Sequence, residues 1–187
     1  GSKKHLMTDI FANAKKPFYS STAFLSINKI AKESYSSFIK KMFNDNDRTI
    51  TDETIDYILD WTRLHTYYTQ SLCHAIFANG AKDVKMDDVK KACLEILQQN
   101  EMLYLQYRQM LTNTQWNYLI AVAKEGQVTQ ITAKAFLAKY NIGTPSTSKR
   151  LVNSLYEKEL LSNVVTKDGT YYSVYDVFMS RWLEREF

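Results

Sequence analysis

Residues 161–174 read Leu161-Ser162-Asn163-Val164-Val165-Thr166-Lys167-Asp168-Gly169-Thr170-Tyr171-Tyr172-Ser173-Val174. Two β-prone runs, rich in Val, Thr and Tyr, flank Lys167-Asp168-Gly169. Asp-Gly between such runs predicts a β-hairpin, because the tight turn needs the positive φ that glycine adopts without a Cβ clash. The segments on either side of this hairpin decide the architecture.

Upstream, Thr112 opens a helix through Lys124 with Trp116, Leu119, Ile120 and Val122 apolar, and Gly126 closes it. Thr132 opens a second helix with Phe136, Leu137 and Tyr140 inward, and Gly143 is its expected terminator. Pro145-Ser146 starts a third, with Leu151, Val152 and Leu155 inward; proline suits a first helical turn because its missing N–H has no partner there anyway. Downstream of the hairpin, Asp176 is placed to cap a last helix bearing Val177, Phe178, Trp182 and Leu183. Three helices, a hairpin and a closing helix predict a winged helix-turn-helix domain with one β-hairpin over residues 111–187.

Residues 3–110 read as an all-helical unit. A first helix over 4–13 carries Met7, Ile10 and Phe11, and Pro17 stops it. An irregular or extended stretch, 18–27, leads to a helix over 33–43, with Tyr35, Phe38, Ile39 and Met42 on one face. Thr51 is the expected N-cap of the next, with Asp52 and Glu53 in its first turn, where anions favour the helix dipole. Ile55, Ile58, Leu59 and Thr62 continue it. A helix over 66–79 turns Tyr68, Leu72, Ala75 and Ile76 inward and ends at Gly80. A long one over 86–110 carries Val89, Cys93, Ile96, Leu97, Leu103, Tyr107 and Met110. At ~1.5 Å per residue it spans about 37 Å, enough to connect two domains.

Composition narrows the function. Hydrophobic residues make up 45% and charged residues 24% of the chain, an ordinary globular balance. No apolar run approaches the ~20 residues that span a bilayer, so no membrane partner is expected. With Cys73 and Cys93 alone, a disulfide framework is excluded and a reduced, cytoplasmic setting is expected. Gly1-Ser2 without an initiator Met reads as a fusion remnant followed by an internal piece of a longer protein. Net charge is +4, with no basic tail, so any nucleic-acid binding depends on where a few cations sit. The three His residues, His5, His65 and His74, fall in no zinc pattern, and Cys73-His74 lack further ligands at usable spacing. Gly143-Thr144-Pro145-Ser146-Thr147-Ser148-Lys149 lacks the second glycine with which a phosphate loop wraps its ligand. No nucleophile or acid–base constellation is visible, so no catalytic or metal residue is expected in this piece.

Three stretches together resemble part of a known family. Lys15-Lys16-Pro17-Phe18-Tyr19, Ile27 and the Tyr35…Phe38-Ile39…Phe43 helix resemble an "Arg-Pro-Phe-Tyr" junction followed by a helical lid. Trp61-Thr62-Arg63-Leu64-His65-Thr66-Tyr67-Tyr68-Thr69-Gln70 is similar to a "Gly-His-Pro-Tyr-Tyr-x-Gln" lid motif, with Leu64 and Thr66 in place of the Gly and Pro. Leu111-Thr112…Gln115, Leu155-Tyr156-Glu157-Lys158-Glu159-Leu160 and Tyr175-Asp176-Val177-Phe178…Trp182-Leu183 resemble a terminal winged helix. The family is the archaeal-type P-loop ATPases of the AAA+/STAND group. The resemblance implies a mainly α fold: a helical lid subdomain over 3–110, then the winged helix-turn-helix domain. It implies that the nucleotide-binding core, with its Walker motifs, ATP and Mg, lies upstream in a full-length parent. It also leaves two readings of Arg63, His65 and Thr66, at a helix N-terminus: they sense nucleotide, or His65 and Thr66 simply cap that helix while Tyr67 and Tyr68 fill the core.

For the winged helix two roles stay open. Ser146, Ser148, Lys149, Arg150 and Asn153 on the third helix, with Lys167 at the hairpin tip, are the expected contacts if it binds double-stranded DNA: hydroxyls and lysines to phosphates, Arg150 and Asn153 to base edges. If instead it docks on the ATPase core or on a protein partner, Tyr171, Tyr172 and Tyr175 suit the interface.

Overall fold

The computed structural model describes residues 29–166 and 169–187. The helix expected over 4–13, the Pro17 stop, the 18–27 stretch, His5 and Lys167 lie outside the described residues. The described chain is mainly α, with eight helices and four short strands.

The first lobe runs α1 (Lys32–Asn44), β1 (Thr49–Ile50), α2 (Asp52–Trp61), α3 (Thr66–Ala78), β2 (Asp83–Val84) and α4 (Met86–Gln109). Thr51 caps α2 as its sequence predicts, its hydroxyl accepting the Thr54 N–H at 3.2 Å. β1 and β2 pair in parallel, Thr49 with Asp83 and Ile50 with Val84. Two residues leave too short a pattern for any sequence reading of a strand. Ile55, Ile58, Leu59, Leu72, Ile76 and Val89 are buried between these helices.

Two inward faces differ from expectation. On α1 the buried stripe is Tyr35, Ile39 and Phe43, spaced by four, so Phe38 and Met42, each about 100° round the helix from a buried neighbour, face outward. On α4, Tyr104 is the buried residue of the second half, while Leu103 and Met110 are exposed. The last helix of the chain packs on α4 and covers the Tyr104 side.

The second lobe runs α5 (Asn113–Glu125), α6 (Lys134–Tyr140), α7 (Pro145–Glu157), β3 (Leu161–Thr166), β4 (Gly169–Val174) and α8 (Val177–Glu186). Thr112 and Gln115 form a reciprocal capping box at the start of α5. The hairpin is antiparallel, Leu161 opposite Val174 and Thr166 opposite Gly169. Val128 adds a third, single-residue strand: its N–H donates to the Tyr172 carbonyl at 2.9 Å and its carbonyl accepts the Tyr172 N–H at 2.8 Å. One residue of ladder leaves no alternation in sequence. Between α6 and α7 the turn places Asn141 at φ 52° and Gly143 at φ 88°. Asn141 therefore ends α6, not Gly143; the glycine serves the turn, where a Cβ would stand 3.2 Å from Thr147 Oγ1. Ala133, rather than Thr132, is the residue from which α6 departs.

The buried side chains of both lobes form one continuous cluster, from Tyr35 to Leu183. Trp182 on α8 is its crossing point, with ring centroids 5.4 Å from Tyr104 on α4 and 6.1 Å from Trp116 on α5.

Candidate functional site

The corner after α2 is built on an unusual backbone. Arg63 and Leu64 are consecutive non-glycine residues at φ 54° and 55°. Each left-handed residue costs roughly 1–2 kcal/mol, so surrounding contacts must hold the pair. The Leu64 N–H donates to the Leu59 carbonyl (2.9 Å), and the His65 N–H to the Thr62 carbonyl (3.0 Å). Lys29 Nζ donates to the Arg63 carbonyl at 2.7 Å. Thr62, fully buried beneath, bonds through its hydroxyl to the Ile58 carbonyl and to Thr69 Oγ1.

This backbone aims the Arg63 side chain at α8. Arg63 Nη2 reaches Glu184 Oε1 at 2.6 Å and Ser180 Oγ at 2.9 Å. Arg181 Nη1 takes the other oxygen, Glu184 Oε2, at 2.7 Å. Arg181 also donates from Nε to the Trp61 carbonyl (2.9 Å) and from Nη2 to the Asp60 carbonyl (3.0 Å). Those carbonyls end α2, and a cation over them completes their hydrogen bonding and favours the dipole. Burial lowers the Arg63 pKa, an effect that Glu184 opposes; a guanidinium stays charged throughout. One carboxylate thus joins an arginine of the first lobe to an arginine of the last helix, in a setting only about a fifth exposed. Phe178 packs on Trp61 and Tyr68, with centroids 5.5 and 4.7 Å away, and closes the same junction on its apolar side.

His65 and Thr66 lie on the open side of the corner and are exposed. His65 precedes α3 but its side chain makes no capping bond; its ring sits edge-on to Tyr68 at 4.7 Å. Burial of part of the ring, and then Lys29, lower its pKa from the ordinary value. The three residues implied as a sensor are therefore neighbours in sequence that face two ways.

Asp176 starts α8, its Oδ1 accepting the Met179 N–H at 2.9 Å. Burial raises its pKa above the usual carboxylate value. A raised folded-state pKa means that the stabilising proton is fully retained below the unfolded pKa and lost as pH rises through the folded one. Asp176→Asn keeps an N-capping oxygen without the buried charge, so it is expected to raise Tm near pH 7. Its advantage should shrink as pH is lowered toward 4, measured by thermal unfolding across pH.

On α7, Ser146, Lys149, Arg150 and Asn153 are exposed, and the two cations make no ion pair among the described residues. Ser148 is a correction: it is buried, with its hydroxyl donating to the Thr144 carbonyl at 2.7 Å, and is withdrawn from that face. The helix period places position 148 with Val152 and Leu155 on the inner side. On the hairpin, Val164 and Val165 are exposed, as is Tyr175 after it, while Tyr171 and Tyr172 are half-buried.

Sequence reasoning missed Ser180, Arg181 and Glu184. Polar residues between apolar ones on a terminal helix read as a solvated face; Arg181 and Glu184 at i,i+3 were the available signal.

A three-helix bundle with a helix-turn-helix, a β-hairpin and a third strand at Val128 decides the fold of this part, and residues 102–185 match a family described as a probable winged helix domain. The second lobe is a winged helix. No curated protein matches the chain. Its fold is similar to that of a Walker-type ATPase of Pyrococcus abyssi, with a TM-score of 0.64 and 15% identity over 95% of this chain. The chain spans 49% of that protein's length. Among the described residues no group of three or more His, Cys, Asp and Glu is placed to hold a metal ion, and no helix is long and apolar enough to cross a membrane.

Proposed function

We propose that this chain is the helical lid and winged-helix region of a cytoplasmic Walker-type ATPase, and that it couples nucleotide state to docking of the winged helix on the ATPase core or a partner. ATP and Mg would bind in the upstream core, and no residue of this chain is assigned to catalysis. The observation that carries the reading is the Glu184 bridge: Arg63, from the corner implied as the nucleotide sensor, is tied directly to the closing helix of the winged domain. A shift of that corner moves α8 without an intermediate element, and a change in α8 seating alters which winged-helix surface is free. His65 and Thr66, on the open side, are the groups that would meet nucleotide. In the full-length parent, His65→Ala is expected to weaken nucleotide affinity or change turnover, read by steady-state ATP hydrolysis and nucleotide titration. Unchanged kinetics would remove the sensor role.

Lys149 and Arg150, exposed and without an ion pair among the described residues, favour a second reading, duplex DNA binding through α7. In that case Arg150→Ala weakens binding by ~1–3 kcal/mol if the arginine reads a base. Affinity, measured by fluorescence anisotropy, then falls steeply between about 50 mM and about 200 mM salt. Absence of binding at the lower salt sinks this reading.

A further inference from the structure

A groove of about 410 Å³ runs between α2, α4 and α8, on the side of the junction where Arg181 caps α2. Tyr57, Trp61 and Leu94 give it an apolar floor, and Leu94 is 40% exposed. Lys90 stands on the α4 wall and Arg185 on the α8 wall. Among the described residues Lys90 has no ion pair, and the acidic contact of Arg185 is the adjoining Glu186 at a loose 3.6 Å. Among the described residues the lining's one acid is Glu184, and both of its oxygens are already engaged, Oε1 by Arg63 and Ser180, Oε2 by Arg181. Its charge is therefore neutralised locally, and the groove presents an apolar floor between Lys90, which has no ion pair among the described residues, and Arg185, held only loosely by Glu186. The Tyr57 hydroxyl adds a donor that makes no hydrogen bond among the described residues.

We infer that this groove docks an acidic amphipathic segment of a protein partner, an aromatic or long aliphatic anchor resting on Trp61 and Leu94 and carboxylates facing Lys90 and Arg185. Apolar grooves take amphipathic segments through spaced anchors, while flanking charges set partner choice and association rate. Because Trp61 and Leu94 belong to the first lobe and Arg185 to α8, an occupant bridges the junction. It supplies a partner chemistry for the docking step proposed above and rests on that reading for its consequence, not for its binding.

The test pans a displayed random-peptide library on the full chain, then measures a synthetic copy of the most enriched peptide by anisotropy. The expected peptides carry Asp and Glu around one large apolar residue. Their affinity should fall at least about tenfold in Lys90→Glu/Arg185→Glu, and stay unchanged in Lys149→Glu/Arg150→Glu. Both reversals replace exposed residues, and matching unfolding curves establish that the proteins compared are folded. Enriched peptides without carboxylates, no enrichment, or binding indifferent to the Lys90/Arg185 reversal would overturn the proposal. So would self-association abolished by the same reversal, which would seat a second copy of the chain in the groove. The assay contains no nucleotide, so its failure removes the groove and leaves the ATPase reading to its own kinetic test.

Discussion

Trp182→Ala is expected to cost about 3–5 kcal/mol, the range for truncating a buried aromatic side chain. Trp182 is 3% exposed and its ring meets Tyr104 from α4, Trp116 from α5 and the terminal Phe187. Removing the indole leaves a void that neither lobe can close alone, since the contacts on its two sides come from different helices. Measured by urea unfolding, the loss should consume much of a typical domain stability of about 5–15 kcal/mol. It should also strip the α8 amides of their hydrogen-exchange protection before those of α2 and α3. A loss below about 1 kcal/mol would mean that the lobes are not joined through this residue.

Glu184→Gln tests the polar half of the same junction. The substitution keeps the shape and one acceptor oxygen, but offers two guanidinium groups a neutral partner. Hydrogen bonds to charged groups contribute about 1.5–3 kcal/mol each, and partial exposure of this cluster places the expected loss near the lower end, about 2 kcal/mol. The wild type should lose part of this advantage in high salt, because the carboxylate is not wholly shielded from ions. Arg181→Lys is a sharper control. A lysine can meet Glu184 but cannot also reach the Asp60 and Trp61 carbonyls with three separate donors fixed in one plane. Equal stability of Glu184→Gln and wild type would remove the bridge as a coupling element, and with it the observation on which the proposed function stands.

Much of the architecture was legible from side-chain order alone. The hairpin pairing, the caps at Thr51, Thr112 and Asp176 and the apolar spacing of α5, α7 and α8 all act within a few residues. The failures share a cause. Phe38 and Leu103 have apolar neighbours at helical spacing, yet which of two adjacent apolar stripes is buried depends on the position of the next helix. Ser148 shows the converse: a hydroxyl counted with the DNA-facing set lies on the inner side, its polarity satisfied within its own first turn. The third strand at Val128 is one residue long, and its partner Tyr172 is far along the chain.

The candidate site divides in the same way. Arg63, His65 and Thr66 attracted notice as a polar corner at a helix start, a local property. That Arg63 turns toward α8 depends on two left-handed residues, held by Leu59, Thr62 and Lys29, and on a glutamate far away in the sequence. Local sequence by itself determined the helices, the caps at Thr51, Thr112 and Asp176, the hairpin and hence the winged-helix class, because hydrogen bonds and periodicity within about ten residues decide those features. Tertiary structure alone decided the Glu184 bridge, the Trp182 crossing and the cationic groove. Each joins groups from elements distant in the chain, and a charged or aromatic residue carries no local mark of the partner it will meet.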